Sequence, residues 1–243
     1  MKKKVFYLSF LFSLTFNFAV SQSYYFGIKG GPSLGYQKWE NFNQGLLMTY
    51  HATAFWESYS ENNPNNSLYA QLGFHNRGSA LRNLRVLTND NSIYTLPTQK
   101  FVFSNLSLGV GAKKKHEIND KLSSFYSLGI RAEYNLFTNL HTFEEYNTTY
   151  FTNYYPVNAF KINFTYGATV GGGLEFYFSE LTSGIIELSV NPDFSNQYVQ
   201  PSYQTPDPME PHNNRIIPRR SIKNTTVEIS FGLRFLRKVI YID

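Results

Sequence analysis

The chain has 243 residues, among them 22 Phe, 19 Tyr and 2 Trp, and only 16% are charged against roughly 25% in an ordinary soluble domain. So much ring surface with so little charge excludes a disordered chain and a charged coiled coil. The absence of cysteine removes disulfide scaffolds, thiolate-ligated metals and thiol catalysis together. The formal net charge of +5 owes much to Lys2, Lys3 and Lys4; without them the balance is too even for a nucleic-acid partner.

Those three lysines precede an apolar run from Val5 to Val20 and small residues at Ala19 and Ser21, the layout of a secretory signal peptide. Residues 1–21 are therefore expected to be removed. Residues 22–243 are expected to form one domain.

From there the pattern has period two, as in a strand with one apolar and one polar face. Phe26, Ile28, Leu34 and Tyr36 alternate with Gly27, Lys29, Ser33 and Gly35, and Pro32 suits an edge or a bend. Weaker segments run from about Leu46 to Tyr59, Leu68 to Arg77 and Phe101 to Lys113. Tyr126, Leu128, Ile130, Ala132 and Tyr134 then alternate with Ser127, Gly129, Arg131 and Glu133. The sixth and clearest segment extends from Phe160 to Phe178, followed by Gly184 to Asn191 and by Val227 to Phe235. The expectation is an all-β fold of eight antiparallel strands.

The connections sort by length. Short polar turns at Glu61–Asn66, Glu117–Lys121 and Ser179–Ser183 alternate with long loops at Gly78–Lys100, Phe137–Asn158 and Pro192–Ile222. A soluble sandwich has no reason to sort them, whereas an up-and-down transmembrane barrel has short periplasmic turns and long extracellular loops. Gly27, Gly31, Gly35, Gly109, Gly111, Gly129, Gly167, Gly171 and Gly173 fall on the polar face, where small residues make room inside a narrow barrel.

Tyr25–Gly31 (YFGIKGG), Leu68–Gly78 (LYAQLGFHNRG) and Gly171–Phe176 (GGGLEF) together resemble the PorT-like outer-membrane β-barrel family. The resemblance covers nearly the whole chain after the signal peptide. It implies an eight-stranded barrel in a Gram-negative outer membrane, with a namesake in the type IX secretion machinery and no catalytic signature.

The alternation directs Lys29, Glu57, Arg77, Lys113, Arg131, Glu133, Lys161, Glu175, Glu187, Glu228 and Arg234 into the lumen. Side chains fill the interior of an eight-stranded barrel, so these nearly balanced charges are expected to form a polar core. The alternative is a gated solute path with Arg131, Glu133, Glu228 and Arg234 as its handles. His51 and His75 are the strand-borne candidates for a base in a lipid-modifying enzyme, although neither sits in a recognised nucleophile motif. Asp207, Glu210 and His212, and Asp90 beside Asn89, Asn91 and Ser92, lack the ligand count of a metal site, so no metal or cofactor is expected. The loop rings Phe137, Phe143, Tyr146, Tyr150, Phe151, Tyr154 and Tyr155 suit an aromatic girdle or contacts outside the cell. Arg215, Arg219, Arg220 and Lys223 form the densest basic cluster and suit lipopolysaccharide phosphates. The expected role is a non-enzymatic structural or interaction barrel, with lipid and other envelope proteins as partners.

Overall fold

In the computed structural model the two-residue alternation becomes eight long strands: β1 (Tyr24–Trp39), β2 (Gly45–Ser58), β3 (Asn66–Leu81), β6 (Gln99–Asn119), β7 (Leu122–Thr138), β8 (Phe164–Tyr177), β9 (Thr182–Pro192) and β13 (Arg220–Arg237). The structure describes residues 23–39, 44–60, 63–83, 85–87, 92–149, 155–206 and 213–238. The signal-peptide segment, Asp90, Asp207, Glu210, His212, Tyr150, Phe151 and Tyr154 lie outside them. Each strand pairs antiparallel with the next, and β1 pairs back onto β13, from Tyr24 opposite Arg237 to Trp39 opposite Ile222. The ring is closed, so the main-chain groups of the strands bond to one another and no edge is left open.

With 11 to 21 residues apiece, the strands are at least as long as the roughly 9–11 that a tilted strand needs to cross a bilayer. No helix among the described residues is long and apolar enough to cross a membrane; the strands do so instead.

The outward wall is aliphatic at mid-height, with Ile28, Leu72, Leu108, Val110, Leu128, Ile130, Val170, Leu188 and Leu233 all exposed. Rings flank this band: Phe26, Trp56, Tyr126 and Phe178 towards the turn end, Tyr36, Tyr134, Phe137, Phe164 and Tyr166 towards the loop end. Such a wall is unstable in water and matched to hydrocarbon bounded by two interfaces. The chain is thus a transmembrane barrel of the outer membrane.

The turns are tight for local reasons. Asp120 and Lys121 alone join β6 to β7, where Lys121 N donates to Asn119 Oδ1 at 3.0 Å, an Asx turn. Ser179 holds the β8–β9 turn by accepting from Leu181 N at its Oγ and from Thr182 N at its carbonyl.

The loops carry structure of their own. A hairpin of β4 (Arg85–Leu87) and β5 (Ile93–Thr95) follows β3, and helix α1 (Leu140–Thr149) follows β7. After β9 come β10 (Tyr198–Gln200), added to β13 beyond the ring, and a hairpin of β11 (Tyr203–Pro206) and β12 (Asn214–Ile217). Several boundaries move: β13 begins at Arg220 and not at Val227, β6 runs on to Asn119 and not to Lys113, and the alternation near 160 starts its strand too early. The strand begins at Phe164, because Asn158–Phe160 form a turn of 3-10 helix and Lys161 makes only an isolated bridge to Tyr198.

The lumen glycines make room for large neighbours on adjacent strands. A Cβ at Gly129 would stand 2.4 Å from the Tyr69 hydroxyl oxygen, and one at Gly111 2.7 Å from Cζ of the same ring, so Tyr69 lies across two strands that carry no side chain there. Gly129→Val is expected to cost about 1–3 kcal/mol by overpacking. Adding Tyr69→Ala should recover part of that loss. Urea midpoints of folded barrels in lipid vesicles would measure both, and an undisturbed single variant would refute the packing assignment.

An ion-paired lumen under an aromatic cap as the candidate functional site

Parity along the strands sends polar residues inward, where hydrocarbon cannot reach them. The lumen residues expected above face the barrel interior from the strands, except that Lys161 reaches it from outside a strand, and their ion pairs form three layers.

The layer nearest the turns holds Glu57 and Glu175 among Lys113, Lys115 and Arg234. Lys115 Nζ is 2.7 Å from Glu57 Oε1, Lys113 Nζ is 3.2 Å from Glu57 Oε2 and also pairs with Glu175, and Arg234 is 2.8 Å from Glu175. Rings supply the remaining coordination: Arg234 lies 4.0 Å from the Tyr25 ring centroid and Lys113 Nζ 4.0 Å from that of Phe125.

Above it, Lys29 meets Glu187 at 2.7 Å. Beside that pair lies a cavity of about 20 Å³, lined by Lys29, Tyr69, Gln71 and Glu187 among others, room for about one water.

The outermost layer is a chain of alternating charge. His75 Nδ1 donates to Glu228 at 2.8 Å, Arg77 lies 3.8 Å from Glu228 and 2.6 Å from Glu133, and Arg131 bonds Glu133 at 2.9 Å and pairs with Asp193. Arg77 and Glu133 are fully buried. Charges this deep persist only when paired and hydrogen-bonded, and here each has a partner from another strand, so the network ties the ring across its diameter.

The two histidines stack with ring centroids 5.5 Å apart. His51 lies between Ser33 at 2.9 Å and Ser230 at 2.8 Å, while Thr53 Oγ1 is 3.5 Å from His75 Nε2. Thr53, His75 and Glu228 thus line up as hydroxyl, imidazole and carboxylate, the order of a nucleophilic triad. All three are buried among the lumen side chains.

The outer end of the lumen turns apolar. Trp39, Phe101, Phe103 and Ile222 point inward from the strand ends, and Leu140 and Phe143 of α1 together with Tyr198 close over them. Phe101 and Phe143 centroids are 4.4 Å apart, Trp39 and Phe101 4.8 Å. Burial pushes the Tyr198 phenol up to about 12; it stays neutral and donates to Gln200 Oε1 at 2.8 Å.

Lys161 is corrected in its placement and not in its partner: it precedes β8, because the chain enters that strand through the 3-10 turn, yet its Nζ lies 3.4 Å from Oδ1 of the buried, inward-facing Asn135 at the loop end of the lumen. Lys115 and Asp193 are lumen residues that the sequence reading missed. The first shares parity with Lys113 two residues earlier, and the second continues Ser189 and Asn191 past Pro192. The loop rings divide: Phe143 and Tyr155 pack into the cap, whereas Phe137 faces outward 6.1 Å from Phe74. Among the described residues no group of three or more His, Asp or Glu is placed to hold a metal ion.

No protein-family model matches the chain, and no curated protein matches it. Among solved structures it is similar to the outer membrane protein OprG from Pseudomonas aeruginosa, at 8% identity and TM-score 0.50, covering 87% of this chain and 95% of that one. It is also similar to Neisserial surface protein A, at 8% identity and TM-score 0.45 over 87% and 96% of the two chains. The outer membrane protease OmpT from Escherichia coli matches at 9% identity and TM-score 0.44 over 89% and 97%. At 8% identity the likeness to OprG concerns the fold alone, an antiparallel outer-membrane barrel, here of eight strands in the closed ring.

Proposed function

We propose that this barrel is a non-enzymatic membrane anchor that presents its outer loops to other envelope components, as an accessory subunit of an envelope assembly. The observation that carries the reading is the filled lumen: an ion-paired core in which the cavity beside Lys29 and Glu187 has space for about one water, with the aromatic cap closing the outer end. A solute path needs a continuous opening, and a lipid-modifying enzyme needs its base within reach of substrate; His51 and His75 are enclosed.

The loop end supplies contact surface. Ile93 and Tyr94 in β5 and Ile216 in β12 are 68%, 59% and 65% exposed, large apolar groups held out in water on short hairpins, which suits a protein partner. The resemblance to PorT-like barrels, carried by segments within β1, β3 and β8, makes a type IX secretion complex the assembly to examine first.

Purification of the tagged barrel from native outer membranes in mild detergent should retain a reproducible companion at fixed stoichiometry. Ile93→Asp with Ile216→Asp should release it without altering the heat-dependent gel shift of the folded barrel. A barrel that always purifies alone would overturn the accessory role. In planar bilayers the protein is expected to be silent, and reproducible conductance steps would instead favour the channel reading.

A further inference from the structure

The structure splits the basic cluster that precedes the last strand. Arg220 turns inward, with its guanidinium carbon 6.0 Å from the Trp39 ring centroid, and Lys223 turns outward and is exposed. Directly opposite Lys223 across the β1–β13 seam is Lys38, also exposed. Directly opposed residues have Cβ atoms roughly 4.5–5.5 Å apart, and like charges in that relation repel. Neither ammonium has an ion pair among the described residues.

Their height on the barrel is defined. Tyr36, opposite Thr225, is the last ring of the outer girdle on β1, and Lys38 stands two residues beyond it, roughly 7 Å at strand rise. That is the level at which the hydrocarbon ends and headgroups begin. Around this rim Arg219 and Arg82 are exposed as well. Of the described acidic side chains outside the lumen, Glu144 and Glu145 belong to α1, which packs over the inward face of this end, and Glu117, Asp120 and Glu180 lie near the turns.

We propose that Lys38 and Lys223 form a clamp for the phosphate monoester of an outer-leaflet glycolipid, whose acyl chains lie along the apolar wall of β1 and β13 beneath it. A doubly charged phosphate between two ammonium groups turns the cross-strand repulsion into two charge-assisted hydrogen bonds. Ile28, Leu34, Phe231 and Leu233 on the same strands supply the exposed apolar surface below. The clamp is independent of the accessory role proposed above, since it sits on the membrane-facing wall and not on the hairpins.

The test is binding of lipid A to the delipidated, folded full-length barrel in detergent, read by native mass spectrometry. The probes are bisphosphorylated lipid A, its dephosphorylated counterpart and inorganic phosphate. The wild-type barrel should retain the bisphosphorylated lipid at least about tenfold more tightly than the dephosphorylated one. Lys38→Gln with Lys223→Gln should abolish that preference, and Lys38→Arg with Lys223→Arg should keep it. Lys114→Gln, an exposed outward position near the turn end, should leave it unchanged. Equal retention of the two lipids by the wild type, or an undiminished preference in the double Gln variant, would overturn the proposal. Displacement of the lipid by millimolar inorganic phosphate would overturn the lipid assignment in favour of a soluble anion. The lipid comparison on the wild type decides the matter even if a variant fails to fold.

Discussion

Glu175→Ala is expected to be among the most damaging single substitutions in the barrel. Glu175 is fully buried and pairs with Lys113 and with Arg234 at 2.8 Å, while Lys115 approaches to 3.6 Å and Tyr177 donates its hydroxyl at 3.3 Å. Its removal leaves Glu57 alone among three buried cations. Stranding a buried charge in this way costs about 3–5 kcal/mol. Urea unfolding from lipid vesicles, followed by tryptophan fluorescence and by the gel shift, should show that loss. Adding Lys113→Met should restore part of it, since the replacement removes one orphaned charge and keeps apolar contact with Phe125. An unchanged midpoint in Glu175→Ala would mean that water or a counter-ion enters the lumen freely, and the filled-core reading would fall with it.

Phe101→Ala should act at the other end and in a different way. The ring is 1% exposed and joins the strand wall to α1 and the loop after it, 4.8 Å from Trp39, 4.4 Å from Phe143 and 6.5 Å from Tyr155. Emptying such a site costs about 3–5 kcal/mol. Because the strand ladders beneath are independent of the cap, the loss should appear first as local opening. Limited proteolysis should then cut within α1 while the barrel keeps its gel shift. Full protection of α1 in this variant would show that the helix is held by something other than the aromatic cluster.

Charge at the two ends of the lumen explains why the network needs both. The layer near the turns has three cations, Lys113, Lys115 and Arg234, for two carboxylates. The outermost layer has three carboxylates, Glu133, Asp193 and Glu228, for two arginines, with His75 donating to Glu228. Lys29 and Glu187 balance each other between them. The excess at one end offsets that at the other across the height of the barrel, an arrangement in keeping with the low dielectric around it.

Strand parity was legible from residues alone because side chains alternate strictly and one face of every strand must meet hydrocarbon. That parity placed Arg77, Arg131, Glu133, Glu228 and Arg234 inside, and Gly111 and Gly129 beside them. It misplaced the start of β8, where an apolar and polar alternation continues by chance through a turn of 3-10 helix and Lys161 reaches the lumen from outside the strand. It also stopped two residues short of Lys115. Strand ends are decided by pairing with a neighbour, and a single strand's pattern does not contain its neighbour.

The amino-acid sequence by itself determined the number of strands, their inward and outward faces, the alternation of short turns with long loops, and hence a barrel with a polar interior. Tertiary structure alone decided which charges meet, since His75 and Glu228, or Lys29 and Glu187, are more than a hundred and fifty residues apart and become partners only when β1 closes onto β13. It also decided that α1 and Tyr198 cap the lumen and that Lys38 faces Lys223. The physical reason is the same in each case: period two specifies a face, whereas contact requires the register and closure of the whole ring.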